Sequence, residues 1–354
     1  MDDMTDLLST LAAFVLMISI VVTVHEFGHY AAGRAFGLVG TVFSIGFGRR
    51  LLGINRWGTD WRISPFLIGG YVRFPEENDD LRPGQKTLNA LPRWQRAIVV
   101  AAGPAINFVL AAALFAVIAY SYGYPSGRPI VLAVTPGSPA AAAGLQPGDE
   151  IKAIGGFNVV LASDVTQLVM LMPGKPTSVS FMRDASRLEV TPRLGSRIYD
   201  DGMGNSAKIG FLGIEFPKAF ERSPTIGAAI TKGVSDGAFT TYAQLTSMGQ
   251  IVKGDRSVKE LSGPIRIAKM SAHTLSMGTL PFLYMMAMIS IAVGVMNLLP
   301  IPTLDGGHLA TYAVEGMLRR SISVPTAKRL LKVGLIIIIA MAVFAITLDI
   351  LALS

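Results

Sequence analysis

The distribution of apolar residues along the chain predicts four membrane-spanning helices. Each long apolar run has about the length that a helix needs to cross a bilayer, roughly 20 residues. The runs cover residues 7–24, 97–122, 280–299 and 333–353. Residues 226–252 also have helical periodicity but contain too many polar side chains for a span, so we expect an amphipathic surface helix there, on the outer face.

The segment between the first two runs predicts a cytoplasmic loop with a membrane-associated β hairpin. Residues 31–96 carry ten Lys and Arg against five Asp and Glu, a bias typical of cytoplasmic loops. Short strands are predicted over 42–48 and 61–67, and Gly69-Gly70 predicts a turn into another strand. The hairpin either dips into the membrane, where protein must cover its edges, or lies at the interface with its tryptophans at headgroup level.

From residue 127 the composition becomes that of a soluble module. Short strands, a helix near 163–172 and the turn Pro147-Gly148-Asp149 predict a small α+β domain. The whole pattern divides the chain into four parts. These are 1–125 with two spans and the basic loop, 126–200 with the α+β domain, 201–278 with the amphipathic helix, and 279–354 with the last two spans.

Charge and composition restrict the class of function. The chain is 51% hydrophobic and 16% charged, which fits a membrane protein with one soluble module. The net charge of +7 lies mainly in short loops, including five Lys and Arg within 319–332, so it predicts cytoplasmic loops and no nucleic-acid partner. Cysteine is absent, so any metal must be bound by His, Asp or Glu.

The sequence His25-Glu26-Phe27-Gly28-His29, directly after the first apolar run, supplies the candidate chemistry. On a helix, His25 and His29 share one face, where two imidazoles can bind one metal ion. A catalytic zinc site has three protein ligands, and the third is Asp305 or His308. We favour Asp305, because a carboxylate at membrane depth needs a compensating charge. Glu26 is then predicted to be the general base that activates water against a peptide bond.

Polar and helix-breaking residues in the second and third runs could assist this site. Asn107 could orient a metal ligand, while Gly103-Pro104 could simply kink the helix. Asn297 could hold a substrate backbone or stabilise an oxyanion, or it could make an interhelical hydrogen bond. Pro300 and Pro302 are predicted to break the third helix and to leave carbonyls with which a substrate could pair.

These motifs together resemble the site-2 protease family, and more narrowly the bacterial regulator-of-sigma-E proteases. The resemblance rests on HEFGH in the first run, Gly-Pro-x-x-Asn in the second, and Asn-Leu-Leu-Pro-Ile-Pro-Thr-Leu-Asp-Gly-Gly-His after the third. It implies that His25, His29 and Asp305 bind one Zn²⁺ and that Glu26 is the catalytic acid and base.

The resemblance also extends to the regions that would handle substrate. It implies that residues 45–48, with Gly46 and Gly48, belong to a membrane-dipping hairpin that presents substrate. The sequence SPAAAAGLQPGDEIKAIGG is similar to a PDZ domain, which would be periplasmic and could bind a peptide. The best-known enterobacterial members carry two PDZ modules, whereas this chain carries one.

A biological setting follows from the same resemblance. The protein would be a multi-pass protein of the bacterial inner membrane with its active site near the cytoplasmic side. Its partners would be the lipid bilayer and single-pass membrane proteins that another protease has already trimmed. Two other functions are a catalytically silent PDZ-bearing scaffold and a metal transporter. The intact His-Glu and Asp-Gly motifs argue against the scaffold, and four spans without an inverted repeat argue against the transporter.

Overall fold

The computed structural model describes residues 2–39, 41–75, 85–200 and 206–353, so residues 76–84 of the predicted basic loop lie outside the described part. The α-helices of the described residues are α1 Asp2–Ala35, α2 Arg93–Ser121, α3 Pro139–Ala142, α4 Ala162–Met170, α5 Ile226–Val252, α6 Pro264–Ser276, α7 Thr279–Asn297, α8 Asp305–Leu318 and α9 Val324–Leu353. The strands are β1 Thr41–Phe47, β2 Leu52–Arg56, β3 Thr59–Ile63, β4 Phe66–Arg73, β5 Tyr124–Pro125, β6 Ala133–Val134, β7 Glu150–Ile154, β8 Phe157–Asn158, β9 Val179–Arg183, β10 Ser186–Val190, β11 Gly195–Asp200, β12 Ser206–Phe211, β13 Ile214–Glu215 and β14 Phe220–Glu221.

Four helices of the described residues are long and apolar enough to cross a membrane, which confirms the four predicted spans. They are Leu7–Ala35, Arg93–Ser121, Thr279–Asn297 and Pro325–Ala352. The predicted amphipathic segment forms α5 over the expected residues and is not one of these four helices. The chain divides into two compact units, which are described separately below.

The first unit comprises the described residues of Met1–Phe115, Gly233–Thr241 and Gly263–Leu351. Its core contains Met17 and Val21 of α1 together with Phe282, Met285 and Met286 of α7. Apolar residues of α2 and α6 pack against this cluster. Because these side chains recur at helical spacing on each element, the buried faces follow from the sequence periodicity.

A four-stranded sheet in the first unit takes the place of the predicted hairpin. Its order is β2-β3-β1-β4, with β1 parallel to β3 and antiparallel to β4. The predicted strand over 61–67 is interrupted, since β3 ends at Ile63 and β4 begins at Phe66, after Pro65. The predicted turn at Gly69-Gly70 is also wrong, because both glycines lie inside β4. A side chain at Gly70 would come within 2.6 Å of the Ser44 carbonyl, so the glycine serves close strand pairing.

The segment after α7 differs most from the prediction. Asp305 lies beyond the break after α7 and begins a separate helix, α8, after the non-helical residues 298–304; this helix was not predicted. The helix of the last span also begins earlier than the predicted residue 333: α9 starts at Val324, so Lys328, Arg329 and Lys332 lie in α9 and not in a loop. The loop between the two helices is therefore short.

An ion pair between α6 and α9 lies in the interior of the first unit. The side chains of Arg266 and Asp349 are 1% and 0% exposed, and Arg266 Nε donates to Asp349 Oδ1 at 2.7 Å. Asp349 also accepts hydrogen bonds from the backbone N–H groups of Gly263, Ile265 and Arg266, at 2.8, 2.9 and 3.1 Å. One carboxylate thus caps the N-terminus of α6 and pairs with its arginine.

The second unit comprises the described residues of Ala116–Lys232, Tyr242–Ser262 and Ala352–Ser354. It contains an antiparallel sheet of order β10-β9-β7-β8. Ile151 and Ile154 of β7, Phe181 of β9, and Val165 and Leu168 of α4 form its buried core. The predicted helix near 163–172 is confirmed as α4. The domain boundaries and the PDZ assignment stay predictions.

Candidate metal centre

Helix α1 places His25 and His29 side by side. The helix continues from the apolar run through both residues to Ala35, so the four-residue spacing puts the two rings on one face. The ring centroids are 4.8 Å apart with the planes at 82°. The two Nε2 atoms are 3.1 Å apart and therefore point to a common position.

Asp305 meets the two histidines from the other end of the sequence. Its Oδ2 lies 3.1 Å from His25 Nε2 and 3.4 Å from His29 Nε2. The three side chains are between 8% and 16% exposed, so the cluster is largely buried. The predicted convergence of the two motifs is thus present in the structure.

The residues around Asp305 explain how the chain delivers it. Helix α7 ends before Pro300, which cannot continue a helix, and α8 starts at Asp305. A side chain at Gly306 would come within 2.3 Å of the Leu298 and Leu299 carbonyls, and one at Gly307 within 2.2 Å of the Ile301 carbonyl. The two glycines therefore let the preceding segment pack directly on the first turn of α8, which fixes Asp305.

Residues of helix α2 contact the Nδ1 atom of each imidazole. His29 Nδ1 lies 2.9 Å from the Val99 carbonyl oxygen, which can only accept a hydrogen bond. Nδ1 of His29 is therefore protonated, and Nε2 carries the lone pair that a metal needs. His25 Nδ1 lies 3.2 Å from the Asn107 side-chain amide, so Asn107 is close enough to orient this imidazole.

The amide of Asn107 can serve His25 in the same way. Asn107 is fully buried, and its Oδ1 has no hydrogen-bond partner while Nδ2 faces the ring. Because the two ends of an amide are interchangeable in shape, turning the group presents Oδ1 to a protonated Nδ1. That orientation leaves the lone pair of His25 on Nε2. Ser290 of α7 steadies this part of α2 by donating to the Asn107 backbone carbonyl at 2.8 Å.

Glu26 is held beside the cluster by the sheet. Its Oε2 accepts a hydrogen bond from the backbone N–H of Val72 in β4 at 3.0 Å. Ser19 of α1 also donates to the Leu67 carbonyl of β4. Strand β4, an edge strand of the sheet, therefore contacts α1 both at Ser19 and at Glu26.

The donor set fits a metal ion. One ligand atom from each of His25, His29 and Asp305 lies within 4.8 Å of the others, and the buried Oδ2 of Asp305 accepts no hydrogen bond. Two imidazoles and a carboxylate with one position left open are typical of catalytic zinc. His308, the alternative third ligand, is not part of this group among the described residues.

The other predicted site residues have more local roles. Asn297 Nδ2 donates to the Val293 carbonyl of its own helix at 3.0 Å, and the role of Asn297 toward substrate stays a prediction. Pro300 and Pro302 lie in the break between α7 and α8, as predicted. Gly46 lies near the end of β1, where the pairing with β4 shifts register, and Gly48 directly follows the strand; their φ angles are 88° and 107°. Sequence reasoning missed Val72 and Val99, which act through backbone groups and so carry no side-chain signal.

Comparison with known proteins identifies relatives over nearly the whole chain. Residues 13–341 match the family model described as Peptidase family M50. The chain is 35% identical over 353 residues to "Putative zinc metalloprotease Atu1380" of Agrobacterium fabrum, covering 94% of this chain and 93% of that protein. It is 32% identical over 386 residues to "Metalloprotease MmpA" of Caulobacter vibrioides, covering 97% and 95% of the two chains.

Proposed function

Since the chain is a zinc metalloprotease that belongs to peptidase family M50, we propose that it hydrolyses peptide bonds within or near the transmembrane segments of other membrane proteins. The observation that carries the proposal is the position of the cluster. His25 and His29 lie on a helix apolar enough to span a membrane, and Asp305 lies within 3.4 Å of both imidazoles. A hydrolytic centre on such a helix has access to substrates that are themselves in the membrane.

The side chains divide the chemistry as follows. His25, His29 and Asp305 hold the zinc ion, which when bound polarises the scissile carbonyl and lowers the pKa of water. Glu26 accepts the proton of the attacking water and passes it to the leaving amine nitrogen. The Val72 N–H engages Glu26 Oε2 and leaves Oε1 to take that proton. Val99 and Asn107 keep the imidazoles in the orientation and tautomer that ligation requires.

The sheet is positioned to present an unwound substrate. A helical substrate hides its peptide bonds, so cleavage requires an extended segment, which can add to the edge of a sheet. Strand β4 reaches Glu26 through the Val72 N–H, so the sheet lies next to the site, and we propose that the extended substrate pairs with this sheet. Gly46 and Gly48 shape the adjoining end of β1 and so act on substrate presentation without binding metal.

The charge distribution supports an orientation in the membrane. The basic loop after α1 and the basic residues around the start of α9 are assigned to the cytoplasmic side of a bacterial inner membrane. The sheet-and-helix module of the second unit, as a PDZ-like domain, is then periplasmic and available to a peptide ligand. The expected substrates are single-pass proteins first trimmed by another protease, as in regulated intramembrane proteolysis.

Purified wild type and Glu26→Gln test the proposal directly. We expect both to contain one zinc per chain, and we expect cleavage of a transmembrane model peptide to fall by about 10²–10⁴ in the variant, the usual contribution of a general base. His308→Asn is the matched control and should keep both zinc and cleavage. Full cleavage by Glu26→Gln would contradict the mechanism, and a wild type that binds peptide tails but cleaves nothing would favour the scaffold.

The substrate side has its own test. Helix-breaking Gly or Pro residues near the cleaved bond lower the cost of unwinding, so a peptide series with such residues should be cleaved faster than its all-Leu parent. Equal rates across the series would show that unwinding does not limit the reaction.

A further inference from the structure

Gly103 of α2 lies against the histidines themselves. A Cβ built on Gly103 would be 2.2 Å from His29 Nε2, 2.3 Å from His29 Cε1 and 2.9 Å from His25 Nε2. All three of its nearest atoms therefore belong to the imidazoles. A separation below 3.0 Å is one that real Cβ atoms essentially never show, so a methyl group here would displace the rings.

The position of Gly103 completes a regular face of α2. Val99, Gly103 and Asn107 are four residues apart and so lie along one face of the helix. The first and last of them contact the Nδ1 atoms of His29 and His25. Gly103 lies between them, at the point where the imidazoles of His25 and His29 come closest to α2. Its lack of a side chain lets the His29 ring stay close enough to α2 for Nδ1 to reach the Val99 carbonyl.

We propose that Gly103 is a positioning residue for the metal ligands. By leaving space at the helix surface it allows Nε2 of His29 to point to His25 and Asp305 while Nδ1 stays bonded to Val99. With a methyl group at this position, the His29 ring could either direct Nε2 to His25 and Asp305 or keep the Nδ1 hydrogen bond to Val99, but it could not do both. The inference rests on the proposed function, since it assigns Gly103 a role in zinc binding by that site.

Other glycines of the first unit make a different kind of contact. A side chain at Gly28 would meet the Ala102 carbonyl at 2.3 Å, which is a constraint on helix crossing. At Gly294 of α7, a side chain would come within 3.2 Å of the Phe108 ring and 3.3 Å of the Pro104 carbonyl. Gly294 thus packs on the same part of α2 without approaching a ligand, which makes it the matched control.

The first experiment compares zinc binding by full-length wild type, Gly103→Ala and Gly294→Ala in detergent. Zinc is removed with a chelator, and affinity is measured by competition with a chromogenic indicator. We expect Gly103→Ala to lose at least about tenfold in affinity, the range for residues that orient metal ligands. Gly294→Ala should stay within about threefold of wild type. Equal affinity for Gly103→Ala and wild type would overturn the inference.

A double-mutant cycle separates the proposed role from general packing. Thermal unfolding is measured in chelator for Gly103→Ala, His29→Ala and the double variant. If the methyl collides with the imidazoles, Gly103→Ala should lower Tm much more when His29 is present than in the His29→Ala background, where only the 2.9 Å approach to His25 Nε2 remains. Should Gly103→Ala alone not fold, a folded double variant would give the same answer. A double variant as unstable as Gly103→Ala would refute the collision.

The outcomes also distinguish this inference from the proposed function. If wild type binds no zinc and Asp305→Ala behaves identically to it, the proposed function is wrong. If wild type binds zinc, Asp305→Ala loses it and Gly103→Ala keeps it, only the role of Gly103 is wrong.

Discussion

Removal of the Asp349 carboxylate is expected to destabilise the first unit strongly. Asp349→Ala leaves the interior Arg266 guanidinium without its carboxylate and the N–H groups of Gly263 and Ile265 without their acceptor. Breaking a buried ion pair by removing one partner costs about 3–5 kcal/mol. The freed backbone groups at the start of α6 add to this, so we expect a loss of at least about 3 kcal/mol.

The assay is reversible unfolding of the detergent-solubilised protein, followed by the exchange of backbone amides or by denaturant titration. Thr347→Ala, on the same helix, removes only an exposed hydroxyl that bonds within α9, and should change stability by less than about 0.5 kcal/mol. The double replacement of Arg266 by Met and Asp349 by Leu should recover part of the loss, because it removes both charges, although the N–H groups of Gly263 and Ile265 still lack their acceptor. A loss below about 1 kcal/mol for Asp349→Ala, or no recovery in the double variant, would refute the reasoning.

Three further predictions separate metal binding, substrate presentation and the second unit. Asn107→Leu removes the amide at His25 Nδ1 at similar volume, so zinc affinity measured by chelator competition should fall about 10–100-fold. Gly46→Ala puts a Cβ 2.7 Å from a carbonyl of the neighbouring chain segment at a φ of 88°, so cleavage of a membrane substrate should fall while zinc content is unchanged. Asp149→Ala removes the acceptor of Arg183 Nε at 2.7 Å, so a scanning calorimeter should record a lower Tm for the second unit, with zinc binding intact. Zinc loss in either of the last two variants would contradict this separation.

The spans and the two ligand motifs could be predicted because their signals are local. A run of about 20 apolar residues has few alternatives to a membrane helix, and two histidines four apart on such a helix must share a face. Predicting that Asp305 meets them also required a membrane topology in which the C-terminal ends of the first and third spans lie on the same side. The positive-inside rule supplied that.

The parts that could not be predicted depend on contacts between distant segments. Gly69-Gly70 has the local signature of a turn, yet the glycines are required by close pairing of β4 with β1. Helix α8 begins with Asp305-Gly306-Gly307 after two prolines, a sequence that locally favours a loop. The contribution of Val72 is a backbone N–H, and that of Gly103 is the absence of a side chain. Asp349 did leave a signal, since a carboxylate in an apolar span requires a partner, but the sequence alone does not name Arg266.

The distance along the chain between α1 and α8 has a consequence for biosynthesis. His25 and His29 enter the membrane with the first span. Asp305 is synthesised much later, after the third span and shortly before the last one. A ribosome-bound intermediate therefore has two imidazoles and a carboxylate base but lacks the third donor for the metal. The chain would become able to hydrolyse peptide bonds only when its insertion is nearly complete. Membrane proteins near the translocon are therefore not cleaved by an incompletely synthesised chain.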